Sequence, residues 1–232
     1  MESQPVPAGC QLWAVEKGLV MAESRLLQQI ALKEADKGKI AEKVIKKPGL
    51  LPELLRGLKS DHPPIKYGCA KVLRVVSDRQ PRLLYSWFDF FVTLLDSDNK
   101  IMQWEGIHVI ANLAAVDPKG KLEKVFDKYF APIPGPVMIT AANVVRGAAK
   151  IAEAKPELTE KITKELLKVD KATYKTTECR NVALGHVIES FDKFFDQIKD
   201  RGSVIKLIKK ELSNTRNATR KAAAAFLKKH QD

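Results

Sequence analysis

Long apolar runs are missing from this chain: its richest stretch, residues 87–95, is short and broken by Asp89, against the ~18 residues a membrane-crossing helix requires. A basic start followed by an apolar centre, the mark of a secretory signal, is missing as well, since the chain opens with Glu2 and two prolines. Both absences predict a protein without a membrane span that resides in the cytoplasm. Cysteine is scarce. Cys10, Cys69 and Cys179 are too few and too scattered for a disulfide framework, and none has a Cys or His at metal-ligand spacing. Free thiols are expected, with Cys69 and Cys179 inert on apolar helix faces. Aromatics are few too: four Tyr, nine Phe and three Trp, against abundant Ala, Leu, Val, Ile, Lys and Glu. That mixture favours helices and excludes a β-sandwich.

Chemistry-bearing patterns are also absent. The twelve glycines never fall as Gly-x-Gly, and no Gly-Lys-Ser/Thr follows one, which excludes nucleotide binding through such loops. His62, His108, His186 and His230 form no His-Glu-x-x-His or comparable cluster. His108 and His186 occupy equivalent places in their repeats, but a whole repeat intervenes, so at ~10 Å per helix layer they stand too far apart to share a metal. Glu153, Glu157, Glu160 and Glu165 are interleaved with Lys150, Lys155, Lys161 and Lys164 at helical spacings, the pattern of solvated ion pairs worth about 0.3 kcal/mol each. No catalytic residue, metal or cofactor is therefore expected, and the reading is non-enzymatic.

What is present is recurrence. A helix-length pattern starts at Ile65 and returns at Ile101, Val137, Cys179 and Ala218, at intervals of 36, 36, 42 and 39 residues. Five places along, it holds Ala70, Gly106, Ala142, Leu184 and Ala223; eight places along, Leu73, Val109, Val145, Val187 and Phe226. Mostly small residues at one position let helices approach, and larger ones at the other fill the space between layers. Ahead of each lies another amphipathic segment, over residues 50–58, 83–95, 122–130, 158–169 and 204–212, with apolar residues at spacings of three and four. Pro48, Pro81, Pro118 and Pro156 fall at or near helix starts. Ser60, Asp61, residues 96–99, Ser213 and Asn214 sit in turns where they can cap helix ends.

The pattern predicts an all-α, α-α superhelix of about five helical hairpins. Residues 22–35 and 39–47 read as lead-in helices, and residues 218–230 as the closing helix. A disordered tail is expected over residues 1–10, and one solenoid domain with terminal capping helices over residues 11–232. The turn at residues 131–136 is proline-rich and reads as a stiff connector, and the long fourth interval predicts an extended helix or irregular turn around residues 168–178.

Residues 49–61 followed by 65–77, and then residues 88–116 with Ile107-His-Val-Ile-Ala-Asn-Leu-Ala, resemble armadillo or HEAT repeats, and the resemblance covers roughly residues 37–230. It implies an α-solenoid fold. In armadillo proteins that bind extended peptides, an Asn near the end of the second helix holds the peptide backbone and a Trp one turn earlier flanks side-chain pockets. Asn112 matches that Asn, while His108 stands where the Trp belongs. The other repeats offer Val76, Ala148, Ser190 and Lys229 at the Asn position, so no Asn ladder forms. A second HEAT-like family, the alkylpurine DNA glycosylases, carries Trp and Asp one turn apart, with a basic residue on the next repeat. Trp104 is similar and Arg146 an approximate match, but His108 replaces the catalytic carboxylate.

Charge completes the picture. The net charge is +12. Residues 199–232 hold ten basic side chains against three acids, and residues 33–71 ten against five. A polyanion or acidic partner is favoured. The expected function is a scaffold or adaptor that binds a protein with an acidic surface through its concave face, with Trp104, His108, Asn112, Arg146 and Lys150 as contact residues. The alternative is a nucleic-acid-binding, DNA-repair-like HEAT protein that uses a basic patch of Lys206, Lys209, Lys210, Arg216, Arg220, Lys221, Lys228 and Lys229.

Overall fold

The computed structural model describes residues 24–230. All regular structure among them is helical, with no strand, as the scarcity of aromatics and the abundance of helix formers lead one to expect. The expected tail over residues 1–10, and Ala22 at the start of the lead-in segment, lie outside the described residues. The chain falls into two compact units, Met1–Phe90 and Phe91–Asp232, each described by itself below.

The first unit contains α1 (Arg25–Ala31), α2 (Lys37–Lys46), α3 (Leu51–Gly57) and α4 (Pro63–Arg79). Ser24 starts α1 by accepting a hydrogen bond from the Leu27 amide, and its hydroxyl donates to the Glu53 carboxylate. Asp36 caps α2 by accepting from the Gly38 and Lys39 amides. Two prolines open α4, where missing amide donors have no helical acceptor to lose. Its buried face carries Ile65, Cys69, Ala70, Val72, Leu73 and Val76, and it packs on α1, α2 and α3. At its end Arg79 pairs with Glu42 of α2 at 3.0 Å. Two short 3-10 segments, Pro81–Leu83 and Tyr85–Trp87, follow. The chain divides inside the next helix, α5 (Phe88–Thr93).

The second unit contains α6 (Lys100–Leu113), α7 (Lys121–Lys124), α8 (Phe126–Phe130), α9 (Met138–Ala154), α10 (Thr159–Leu167), α11 (Thr177–Phe194), α12 (Arg201–Lys210) and α13 (Asn217–Lys229). Its spine is a sequence of second helices in which α9 touches both α6 and α11, and α11 in turn touches α13. With α4 of the first unit, they begin within two residues of the five predicted starts. All ten positions of the predicted packing face are buried. Fully burying each larger member contributes about 1.5–3 kcal/mol.

The first helices depart from expectation. The segment predicted over residues 83–95 is broken into 3-10 turns around α5, and residues 122–130 form α7 and α8 with a break at Val125, whose φ is −110°. Helices of four and five residues are not stable by propensity. They are held by Leu122, Phe126, Tyr129 and Phe130, all buried, and by Asp117, whose carboxylate accepts from the Lys121 and Leu122 amides at 2.9 Å each. Tyr129 donates to the Ile107 carbonyl at 3.3 Å, and burial pushes its phenol well above the usual range. The room for its hydroxyl comes from Gly147 of α9, where a Cβ would stand 2.0 Å from the Tyr129 oxygen and 3.1 Å from the Ala111 Cβ.

A second departure concerns charge. Lys155, expected to be solvated, has a side chain only 10% exposed. It bonds Glu123 at 2.6 Å and sits 3.5 Å from Asp117, whose side chain is 0% exposed. Desolvation lowers its pKa, but the Glu123 hydrogen bond and the Asp117 charge outweigh it, so the ammonium is held above 10.5. Lys161 likewise pairs across repeats, with Asp127 at 3.0 Å.

Candidate functional site

A helix advances 100° per residue, so exposed positions four and three apart define one stripe. On α6 the stripe is Ile101, Trp104, His108 and Asn112, all exposed or half-buried; on α9 it is Ile139, Arg146 and Lys150, all exposed. The stripes are tied together. Trp104 Nε1 donates to Thr140 Oγ1 at 2.9 Å, and Lys150 Nζ donates to Asn112 Oδ1 at 2.7 Å. One turn back from that second bond on both helices stand His108 and Arg146. The face continues onto α11, where Arg146 Nη2 and His186 Nε2 are 3.3 Å apart and His186 Nδ1 lies 3.2 Å from Glu189 Oε2.

This corrects the expected register. Equating Ile101 with Val137 pairs His108 with Val144 and Asn112 with Ala148, both of which are fully buried. The exposed face instead repeats at 38 residues between α6 and α9, so that Asn112 meets Lys150 and His108 is level with Arg146. His108 and His186 do occupy equivalent places, with Arg146 between them. The predicted contact residues Trp104, His108, Asn112, Arg146 and Lys150 thus share one surface of the second unit. His186 and Glu189 belong to it too; the equivalent places of His108 and His186 in their repeats were the signal for His186, and no spacing marked Glu189.

The family expectations can now be read from geometry. Asn112 has its amide oxygen engaged by Lys150, and its counterpart on α9 is that lysine, so a ladder of asparagines is absent. Ser190 is buried and donates to the Val145 carbonyl at 2.6 Å. Trp104 turns its polar edge to Thr140 while Arg146 reaches His186, so the residues matched to the glycosylase pattern are engaged with different neighbours.

The predicted basic patch separates into two groups. Lys210 pairs with Asp170, Arg216 with Glu178, and Lys229 with Asp192 at 2.9 Å, each bond reaching back to the preceding repeat. His230 also bonds Asp192 at 2.9 Å. Burial raises the Asp192 pKa, but the hydrogen bonds from Lys229 and His230 outweigh it and hold the carboxyl below its usual 3.8. Arg220 donates to the Asn214 and Thr215 carbonyls at 2.6 and 2.9 Å, stiffening the turn into α13. Lys206, Lys209, Lys221 and Lys228 are exposed and have no partner among the described residues.

Among the described residues no group of three or more His, Cys, Asp or Glu is placed to hold a metal, and no helix is long and apolar enough to cross a membrane. No protein-family model matches the sequence, and no curated relative matches it. Solved structures are similar in fold. A designed armadillo repeat protein superposes with a TM-score of 0.50 at 20% identity, over 88% of this chain and 90% of that one. An engineered protein superposes at 0.51 with 16% identity, over 88% and 86%. A designed armadillo repeat protein in complex with the peptide (KR)4 gives 0.49 at 16% identity, over 88% and 99%. Recurring second helices, a reused packing face and the two likenesses at TM-scores of 0.50 and 0.51 together identify an armadillo-like helical repeat fold of the all-α, solenoid class.

Proposed function

We propose that the chain is a non-enzymatic helical-repeat scaffold that docks an acidic protein segment across α6, α9 and α11. The observation that carries this reading is Arg146. It is exposed in the middle of the stripe, and its hydrogen-bonding neighbour is the imidazole of His186, whereas Lys155, Lys161, Lys210, Arg216 and Lys229 are matched to carboxylates. A guanidinium kept from an internal acid can receive a partner's carboxylate through two parallel hydrogen bonds. Trp104 supplies a half-buried ring whose N–H is already satisfied, the kind of residue that dominates interface energetics alongside Arg. His108, Asn112 and Lys150 complete the polar surroundings.

Fluorescence anisotropy with a panel of extended Asp/Glu-rich peptides tests the proposal. Trp104→Ala and Arg146→Gln should each weaken the tightest peptide by about tenfold, with unchanged helical content by circular dichroism. Binding that is indifferent to both substitutions would remove this face from the account.

A second reading, nucleic-acid binding by α12 and α13, is favoured by the four exposed lysines Lys206, Lys209, Lys221 and Lys228, which have no partner among the described residues. It predicts a gel-mobility shift that falls steeply with salt. Lys209→Glu combined with Lys221→Glu should abolish it; a shift that survives the pair argues against this site.

A further inference from the structure

Between α10 and α11 the chain makes a 3-10 turn at Lys168–Lys171 and then runs without regular structure to Thr176. This is the irregular turn that the long fourth interval predicts, and it is firmly held. The Thr173 amide donates to the Pro134 carbonyl at 2.9 Å, and the Tyr174 hydroxyl donates to the Ile133 carbonyl at 2.6 Å. Ala172 and Tyr174 are buried. Gly135, at φ +114°, lets the backbones touch: a Cβ there would stand 2.3 Å from the Thr173 oxygen. The proline-rich turn of the preceding repeat thus acts as a brace for this loop.

Held in this way, residues 171–177 and Arg180 line a cavity of about 350 Å³, at the small end of ligand sites. Its polar lining is Lys171, Thr173, Lys175, Thr176, Thr177 and Arg180, three cations and three hydroxyls with no acid. The two acids nearest in sequence are already engaged, Asp170 by Lys210 and Glu178 by Arg216. Lys171, Lys175 and Arg180 have no side-chain partner among the described residues. The cations of the last hairpin therefore neutralise the acids beside the cavity and leave its own cations uncompensated. The first turn of α11 adds its positive dipole end to the same place.

We infer that this cavity binds a phosphomonoester dianion. A charge near −2 with several acceptor oxygens matches three cations and three hydroxyls. A carboxylate, with two oxygens in one plane, would leave part of that set unused. The only aromatic ring in the lining is that of Tyr174, buried and tied to Ile133, so no stacking surface for a nucleobase is offered. A loop braced before the ligand arrives has little ordering left to lose on binding. The site shares the first turn of α11 but none of the contact residues of the α6–α9–α11 face, so the two proposals are tested by different substitutions.

Isothermal titration calorimetry of the full chain at low ionic strength tests it with inorganic phosphate, with a phosphoserine peptide and with the same peptide unphosphorylated. Saturable binding of a phosphorylated probe and none of the unphosphorylated peptide is expected. Lys171→Gln, Lys175→Gln and Arg180→Gln combined should weaken it at least about tenfold, whereas Lys206→Gln, Lys209→Gln and Lys221→Gln combined should leave it unchanged. If the peptide binds about tenfold tighter than free phosphate, the natural ligand is a phosphorylated partner; if free phosphate binds as well, it is a small anion. Absence of saturable binding of either probe up to about 10 mM, or equal weakening by both triple variants, overturns the inference.

Discussion

Replacing Lys155 with Met separates buried from exposed charge within one molecule. Its ammonium lies 2.6 Å from Glu123 and 3.5 Å from Asp117 in a setting only 10% exposed. Removing one partner of a buried pair costs about 3–5 kcal/mol, because the other charge is left without compensation. Two features reduce this here. The Glu123 side chain is 36% exposed, although its Oε2 is buried without a hydrogen-bond partner, and Asp117 keeps the Lys121 and Leu122 amides. A loss of about 2–3 kcal/mol remains, which lowers the melting temperature by roughly 5–10 °C for a chain of this size. Lys168→Met is the control. Its bond to Glu165 is equally short, 2.7 Å, but the lysine is 54% exposed, so its loss should cost about 0.3 kcal/mol. Adding Asp117→Asn to Lys155→Met should recover little, because the Asn NH2 group cannot accept from the amide that the second carboxylate oxygen held. Urea denaturation followed by circular dichroism measures all three. If Lys155→Met and Lys168→Met are equally stable, the buried cluster does not hold the second unit together in the way described.

Gly147→Ala should destabilise by about 1–3 kcal/mol through the clash with Tyr129, and Tyr129→Phe should relieve it; a neutral single variant would show that α9 can move away from α8. Acid should loosen α13: the Asp192 contribution is present above its usual 3.8 and is lost as pH falls through the lower folded value, so hydrogen exchange of α13 amides should rise there in the wild type and not in Asp192→Asn. At the alkaline end the sign is opposite. The Lys155 contribution is complete below 10.5 and is lost as pH rises through its higher folded value, and Lys155→Met should lack this alkaline step. Cys69 is buried and its thiol is pushed up to about 12, so iodoacetamide should label the half-buried Cys179 well before it in the native protein; equal labelling would contradict the packing of α4.

The second helices were legible because they obey one rule five times over. Ala70, Gly106, Ala142, Leu184 and Ala223 mark a repeated close approach, and a pattern of apolar residues survives divergence in everything else. The exposed stripe was legible only in part. It has no burial requirement to keep it in phase, so its 38-residue step was hidden behind the 36-residue step of the packing face. The first helices were least legible, since residues 122–130 read as one amphipathic segment although Val125 interrupts it. Partners of charged residues escaped as well. Interleaving with Glu153 and Glu157 suggests local partners for Lys155, but the short bond is to Glu123, 32 residues away, and no local pattern encodes a distance of that kind.

Lys210, Arg216 and Lys229 each reach back to an acid on the hairpin before them. Deleting residues 201–230 would therefore do more than shorten the array. It would leave Asp170, Glu178 and Asp192 without the cations that now pair with them. Hairpins that look interchangeable by their apolar positions are individually addressed by their ions, and this one is fitted to the hairpin before it.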